Sequence, residues 1–134
     1  MMLKKISLPL VCAVMLLTCS GCHSFKNNHR TVLDITNYFI DNGIQPDVVQ
    51  PLFPFFGAEK AVSIKIKGKD IGIYKYNSND PKQRLRLEAI INNKCVYVEG
   101  MKYPVLVNGS FMLLGYEVNP MRDRIIELFY AFGE

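Results

Sequence analysis

Val62-Ser63-Ile64-Lys65-Ile66-Lys67-Gly68-Lys69-Asp70-Ile71-Gly72-Ile73 decides the fold. Val62, Ile64 and Ile66 alternate with Ser63, Lys65 and Lys67, and Ile71 and Ile73 resume the alternation beyond Gly68-Lys69. Side chains of a strand point to opposite faces in turn, so a period of two with a glycine between the runs reads as a β-hairpin with one apolar face. Asp80-Pro81 follows, an N-cap residue and a proline that fits the first helical turn, with Leu85, Leu87, Ala89, Ile90 and Ile91 before Asn92. This predicts a helix over about 81–92. The C-terminal part repeats the order, with strands at 95–98, 105–107 and 110–116. Asn108-Gly109 marks the turn and Asn119-Pro120 the start of a last helix, whose stripe is Ile125, Ile126, Leu128, Phe129 and Phe132. Upstream, Thr31 and Asp34 form a capping pattern, and Val32, Leu33, Ile35, Phe39 and Ile40 give a helical face ending at Asn42-Gly43. The expected class is α+β: an antiparallel sheet of about five strands and three helices, in the order α-ββ-α-βββ-α. Hairpins in place of crossovers make helices covering one face of the sheet the economical arrangement.

Between the first helix and the hairpin, residues 44–58 hold Pro46, Pro51 and Pro54 with Val48, Val49, Leu52, Phe53, Phe55 and Phe56. Prolines stop a long helix there, and the rings lack a regular period. Most large apolar side chains are buried, so the expectation is a loop that covers the core. A contact surface is the other use, with Phe53, Phe55 and Phe56 as its anchors. Lys65, Lys67 and Lys69 alternate, with Lys60 and Lys75 nearby. They are read as a solvated sheet face that discourages edge pairing, or else as a basic strip toward an anionic headgroup or polymer.

Acid-base or nucleophilic catalysis at neutral pH calls for a histidine, an activated cysteine or serine, or paired carboxylates in a cleft. The histidines, His23 and His29, precede the first helix, and the twelve acids are scattered without calcium- or zinc-site spacing. Glycines fall singly at turns and strands and build no phosphate cradle. Cys95 lies in the β-prone run Cys95-Val96-Tyr97-Val98 and reads as a small buried hydrophobe. No enzyme activity, cofactor or metal is expected.

The N-terminus carries an address. Lys4 and Lys5 precede the apolar stretch Ser7 to Leu17, followed by Thr18-Cys19-Ser20-Gly21-Cys22. Small residues before a thiol, after a short apolar run, read as a secretion signal. The pattern resembles the lipobox of bacterial lipoproteins, which implies cleavage before Cys22 and thioether linkage of Cys22 to a diacylglyceryl group. Ordinary secretion and an uncleaved span are the other readings, and Ser7, Pro9 and Ser20-Gly21 speak against the span. Cleavage would separate Cys19 from Cys22, so their Cys-x-x-Cys spacing is not read as a redox pair. It would also remove Lys4 and Lys5, lowering the formal charge of +4 by two. A nearly neutral domain is a poor nucleic-acid binder, and no such partner is expected.

The expected organisation is a signal over 1–21, a lipidated polar tether over 22–30 and one α+β domain over 31–134. Residues 107–116 with Asn119-Pro120 and Ile125-Ile126 also resemble a segment of small bacterial envelope lipoproteins, which implies no chemistry. Together these readings give an expected function: a membrane-anchored, non-enzymatic binding or structural module of the cell envelope, contacting an envelope protein or polymer. If the source has two membranes, the resemblance and His23 after the anchor imply the outer membrane, facing the periplasm. The alternatives are an envelope inhibitor or immunity-type protein presenting the Phe/Pro-rich loop, and an enzyme or its accessory.

Overall fold

A computed structural model describes residues 25–134. The described residues form three α-helices and one six-stranded antiparallel sheet. Helix α1 is Val32–Asp41, β1 Val48–Leu52, β2 Lys60–Ile66 and β3 Lys69–Lys75. Helix α2 is Pro81–Asn93, followed by β4 Cys95–Val98, β5 Met101–Asn108, β6 Phe111–Leu114, a 3₁₀ turn Tyr116–Val118 and α3 Arg122–Ala131. The class is α+β, with one strand more than the sequence predicts. The extra strand, β1, lies in the proline-rich stretch read as a loop, and it pairs with β2 along its whole length. Pro51 is tolerated because β1 is an edge strand, where a missing N–H costs no ladder bond.

Strand order is β1-β2-β3-β6-β5-β4. Two three-stranded meanders therefore join through β3 and β6, and α2 carries the chain from the end of the first to the far edge of the second. Tight turns set the registers. Lys67-Gly68 and Glu99-Gly100 are two-residue loops with both φ angles positive, matching the right-handed twist of the strands they join. The third turn is displaced by one residue from the expected Asn-Gly. Asn108 pairs with Phe111 as the last residue of β5, and Gly109-Ser110 form the loop. The Asn108 amide instead donates to the carbonyls of Phe129 and Phe132, at 2.8 and 3.0 Å, satisfying acceptors that the end of α3 leaves open.

One face of the sheet meets the expectation. Val62, Ile64, Ile66, Ile71 and Ile73, with Phe111 and Leu113 of β6, pack against Ile35 and Phe39 of α1 and Ile125, Leu128 and Phe129 of α3. The other face corrects it, because helices cover both sides. Ala61, Tyr74, Val96, Val105 and Met112 form a second core under Leu87 and Ile90 of α2. The hairpin's own alternation hides this face, since only Ala61 and Tyr74 among its residues contribute apolar bulk there.

Helix caps follow the reading of the sequence at two starts. The Thr31 hydroxyl accepts from Asp34 N–H while the Asp34 carboxylate accepts from Thr31 N–H, and Asp80 accepts from Lys82 and Gln83 N–H. At α3 the helix begins at Arg122, two residues past Pro120, and Met121 gives it no side-chain cap. Asn119 instead ties the helix entry to the β2-β3 turn, its amide donating to Ile66 O at 2.9 Å and its oxygen accepting from Met121 N–H.

The stretch read as a polar tether over 22–30 is, across its described part, a docked turn. Phe25 N–H donates to Ser78 Oγ, Ser110 N–H to Lys26 O, and Ser78 N–H and Ser110 O–H both to Asn28 Oδ1. Asn27 is buried and donates to Phe132 O. Polar residues read as solvated are here the partners of backbone groups exposed by two turns.

Tyr76 yields a pH prediction. It is fully buried between α2 and the 53–58 loop, and its hydroxyl donates to Phe56 O at 2.9 Å. Burial raises its pKa far above the ordinary 10.0, with Arg86 pulling slightly the other way, and burial likewise raises Tyr74 and Tyr116. Above pH 10 the unfolded chain loses phenolic protons that the folded chain keeps, so stability is full below that pH and falls as pH rises. Urea unfolding from pH 8 to 11 is expected to show this decline. Tyr76→Phe should be about 1 kcal/mol less stable at pH 8 through its lost hydrogen bond, and should decline less steeply.

Candidate functional site

Helix α2 runs from the end of β3 to the start of β4 and packs Leu87 and Ile90 over part of the second face. The uncovered half is an open groove of about 420 Å³. Strand register sets its rows. Leu52, Ala61, Tyr74 and Met112 lie side by side nearest α2. Ser63, Gly72 and Leu114 form the next row, and Asp70 and Tyr103 line the following one with Glu117 and Val118 of the 3₁₀ turn.

Two glycines shape it. A Cβ on Gly72 would stand 3.0 Å from Tyr74 Cε1 and 3.5 Å from Leu52 Cδ2, so the bare backbone lets the tyrosine ring lean across the floor. Gly115 has φ +87°, and a Cβ there would meet Asp70 O at 2.9 Å. That close approach turns the chain out of β6 and carries Glu117 over the groove. Glu117 Oε2 is buried and has no hydrogen-bond partner among the described residues. An unpaired buried acceptor costs about 1–3 kcal/mol, which a donor on a bound molecule would recover. Ser63, Asp70 and Glu117 thus offer polar contacts beside the rings of Tyr74 and Tyr103. Burial raises the pKa of Tyr74 above its ordinary value, and its protonated hydroxyl can donate.

The residues singled out in the sequence divide among three places. Phe56 covers the second core, edge-on to Tyr74 at 5.3 Å between centroids. Phe53 and Phe55 do not cover it: they are 68% and 50% exposed, with ring centroids 4.8 Å apart. The burial expected of the whole loop fails for these two because the chain turns back at Phe56-Gly57, both with positive φ. Lys65, Lys67 and Lys69 do not form one strip. Lys67 sits in the turn, Lys65 opposite Asp70 on the groove face, and Lys69 opposite Ile66 on the other face. An alternation that looks continuous in sequence is reversed by the two-residue loop. Cys22 lies outside the described residues, and Cys95 is buried.

The groove was not legible in advance. Gly72 and Gly115, single glycines within apolar strand patterns, are its only signals in the sequence, and neither says what gathers around it. Among the described residues, no three His, Cys, Asp or Glu side chains gather as a metal site, and no helix is long and apolar enough to cross a membrane. Comparison with family models, with curated proteins and with solved structures gave no match to this chain.

Proposed function

We propose that the chain is a lipid-anchored, non-enzymatic binding module of the bacterial cell envelope, with Cys22 as the anchor and the groove beyond α2 as the binding site. The observation that carries the binding role is the groove's composition: Ser63, Asp70 and the unpaired Glu117 carboxylate beside Tyr74, Tyr103 and Leu114. An open trough with hydrogen-bonding groups beside rings suits an extended, hydroxyl- or amide-bearing polymer better than a flat protein surface does. The anchor rests on the run from Lys4 to Cys22. A diacylglyceryl group with a further acyl chain supplies about 0.8 kcal/mol per buried methylene, and two chains suffice for stable membrane residence.

Two measurements test the two halves. Intact mass of the N-terminal peptide from purified membranes is expected to show a cleaved, acylated Cys22, and Cys22→Ala should leave the chain unacylated and out of the membrane fraction. Co-sedimentation with purified insoluble cell-wall polymer is expected for the native protein. Tyr103→Ala combined with Glu117→Gln, both at the groove and outside the two cores' fully buried residues, should weaken it by about tenfold, the effect of losing roughly 1.4 kcal/mol of contacts. Native protein that stays in the supernatant refutes the polymer reading.

A further inference from the structure

Phe25, the first described residue, and the two exposed phenylalanines belong to the same end of the molecule. Strand β1 ends at Leu52, β2 starts at Lys60, β3 ends at Lys75 and β6 starts at Phe111, all at one end of the antiparallel sheet. The 53–58 loop leaves from that end, α2 crosses it, and Phe25 is held there by Ser78 and by the Arg84 guanidinium 4.9 Å from its ring. Cys22 is three residues before Phe25. Three residues span at most roughly 10 Å, so acyl chains on Cys22 bring this end of the domain against the bilayer.

The surface there has the composition that a lipid interface selects. Phe53 and Phe55 project side by side, and Leu85 on the outer side of α2 is also exposed. Lys60, Lys82 and Arg86 are exposed around them. Of the acids at this end, Asp80 caps α2, Glu88 pairs with Arg84 and Glu134 pairs with Lys26. Asp34, beside Glu134, caps α1, and Glu59 is exposed. Aromatic rings ringed by cations enter the headgroup boundary of anionic bilayers and add to a lipid anchor. Lys65, Lys67 and Lys69 lie at the opposite end, where they cannot reach the same membrane.

We propose that this corner rests on the anionic lipid surface that holds the acylated Cys22. Phe53 and Phe55 enter the boundary between headgroups and acyl chains, Lys60, Lys82 and Arg86 meet the headgroups, and the groove opens away from the membrane. The inference rests on the lipid-anchor reading above and adds an orientation to it.

The chain contains no tryptophan, so a single introduced one reports on its own site. Phe53→Trp and Val118→Trp replace exposed side chains at the membrane end and at the groove end. Each full-length variant, purified from membranes with its N-terminal mass recorded, is placed in protein-free phosphatidylethanolamine-phosphatidylglycerol vesicles with brominated acyl chains. The Phe53→Trp emission is expected to shift to the blue and to be quenched about twofold relative to unbrominated vesicles, whereas the Val118→Trp emission is unchanged. Acylated protein with an unquenched Phe53→Trp signal, or with both signals quenched alike, overturns the orientation and leaves the anchor standing. A Phe53→Trp signal that is blue-shifted in native membranes but unquenched in protein-free vesicles assigns the rings to a protein partner and also overturns it. A chain without lipid on Cys22 overturns the anchor and this inference together.

Discussion

Phe111→Ala is expected to lower the free energy of unfolding by about 3–5 kcal/mol, the range for deleting a fully buried phenylalanine ring. Phe111 opens β6, which has β3 on one side and β5 on the other, so its ring stands at the join between the two meanders. It has no exposed surface and meets Phe132 edge-on with centroids 5.5 Å apart. It also forms the wall beside Lys75, whose ammonium lies 5.9 Å from the ring centroid and donates to Tyr76 O at 2.7 Å. Burial pulls the Lys75 pKa down while Glu59 offsets part of the shift, so this lysine is already expensive to keep charged. Removing the ring leaves a cavity and takes away the cation–π contact with the ammonium. Domains of this size have about 5–15 kcal/mol in all, so the loss is a large fraction of the whole. Urea titration should show a midpoint displaced strongly downward with little change in slope. A loss under about 1 kcal/mol would mean that the two meanders do not depend on the Phe111 contact.

Gly109→Val is expected to release residues 25–30 from the domain and to cost at least about 2 kcal/mol, from the positive φ and the lost docking together. Gly109 has φ +60°, in the left-handed region that a β-branched residue enters only with strain. A Cβ there would also run into the backbone carbonyl of Lys26, the group that accepts the Ser110 N–H. Gly133 is placed likewise against the Asn27 side chain. The N-terminal turn thus lies across two bare backbone positions, and a methyl group at either pushes it off. Limited trypsin digestion should then cut after Lys26 and Arg30 in the variant while sparing the native chain. Equal protection in both would show that the docked turn does not need Gly109. If Cys22 is the anchor, this release also lengthens the link between lipid and domain, which loosens the membrane orientation proposed above.

Element types were mostly readable because they depend on neighbours in sequence. The period of two over 62–73, the Thr31 and Asp34 box and the Asp80-Pro81 start each describe a local conformation whose cause lies within a few residues. The β5-β6 turn shows where this stops. Asn-Gly is a strong local turn signal, yet Asn108 is drawn into the last rung of β5 because α3 supplies two carbonyls for its amide. Strand β1 was missed for a similar reason: Val48-Val49-Gln50-Pro51-Leu52 has no alternation of its own and becomes a strand by lying along β2.

The candidate site was less legible than the fold. Phe53, Phe55 and Phe56 looked equivalent in sequence, and a turn at Phe56-Gly57 sends one ring into the second core and leaves two in solvent. The three lysines looked like a strip, and the Lys67-Gly68 loop sends them to different faces. Glu117 carried no signal at all, since its isolation comes from Gly115 bringing the 3₁₀ turn against Asp70.

By itself, then, the sequence determined the α+β class, two of the helix starts and the β2-β3 hairpin, because each follows from periodicity, capping or spacing within one short segment. Only the tertiary structure decided the sixth strand, the second helix-covered face, the docking of residues 25–30 and the groove that α2 leaves open. Those features arise where segments distant in the chain meet, and the hydrogen bonds and close approaches that create them are absent from any one segment alone.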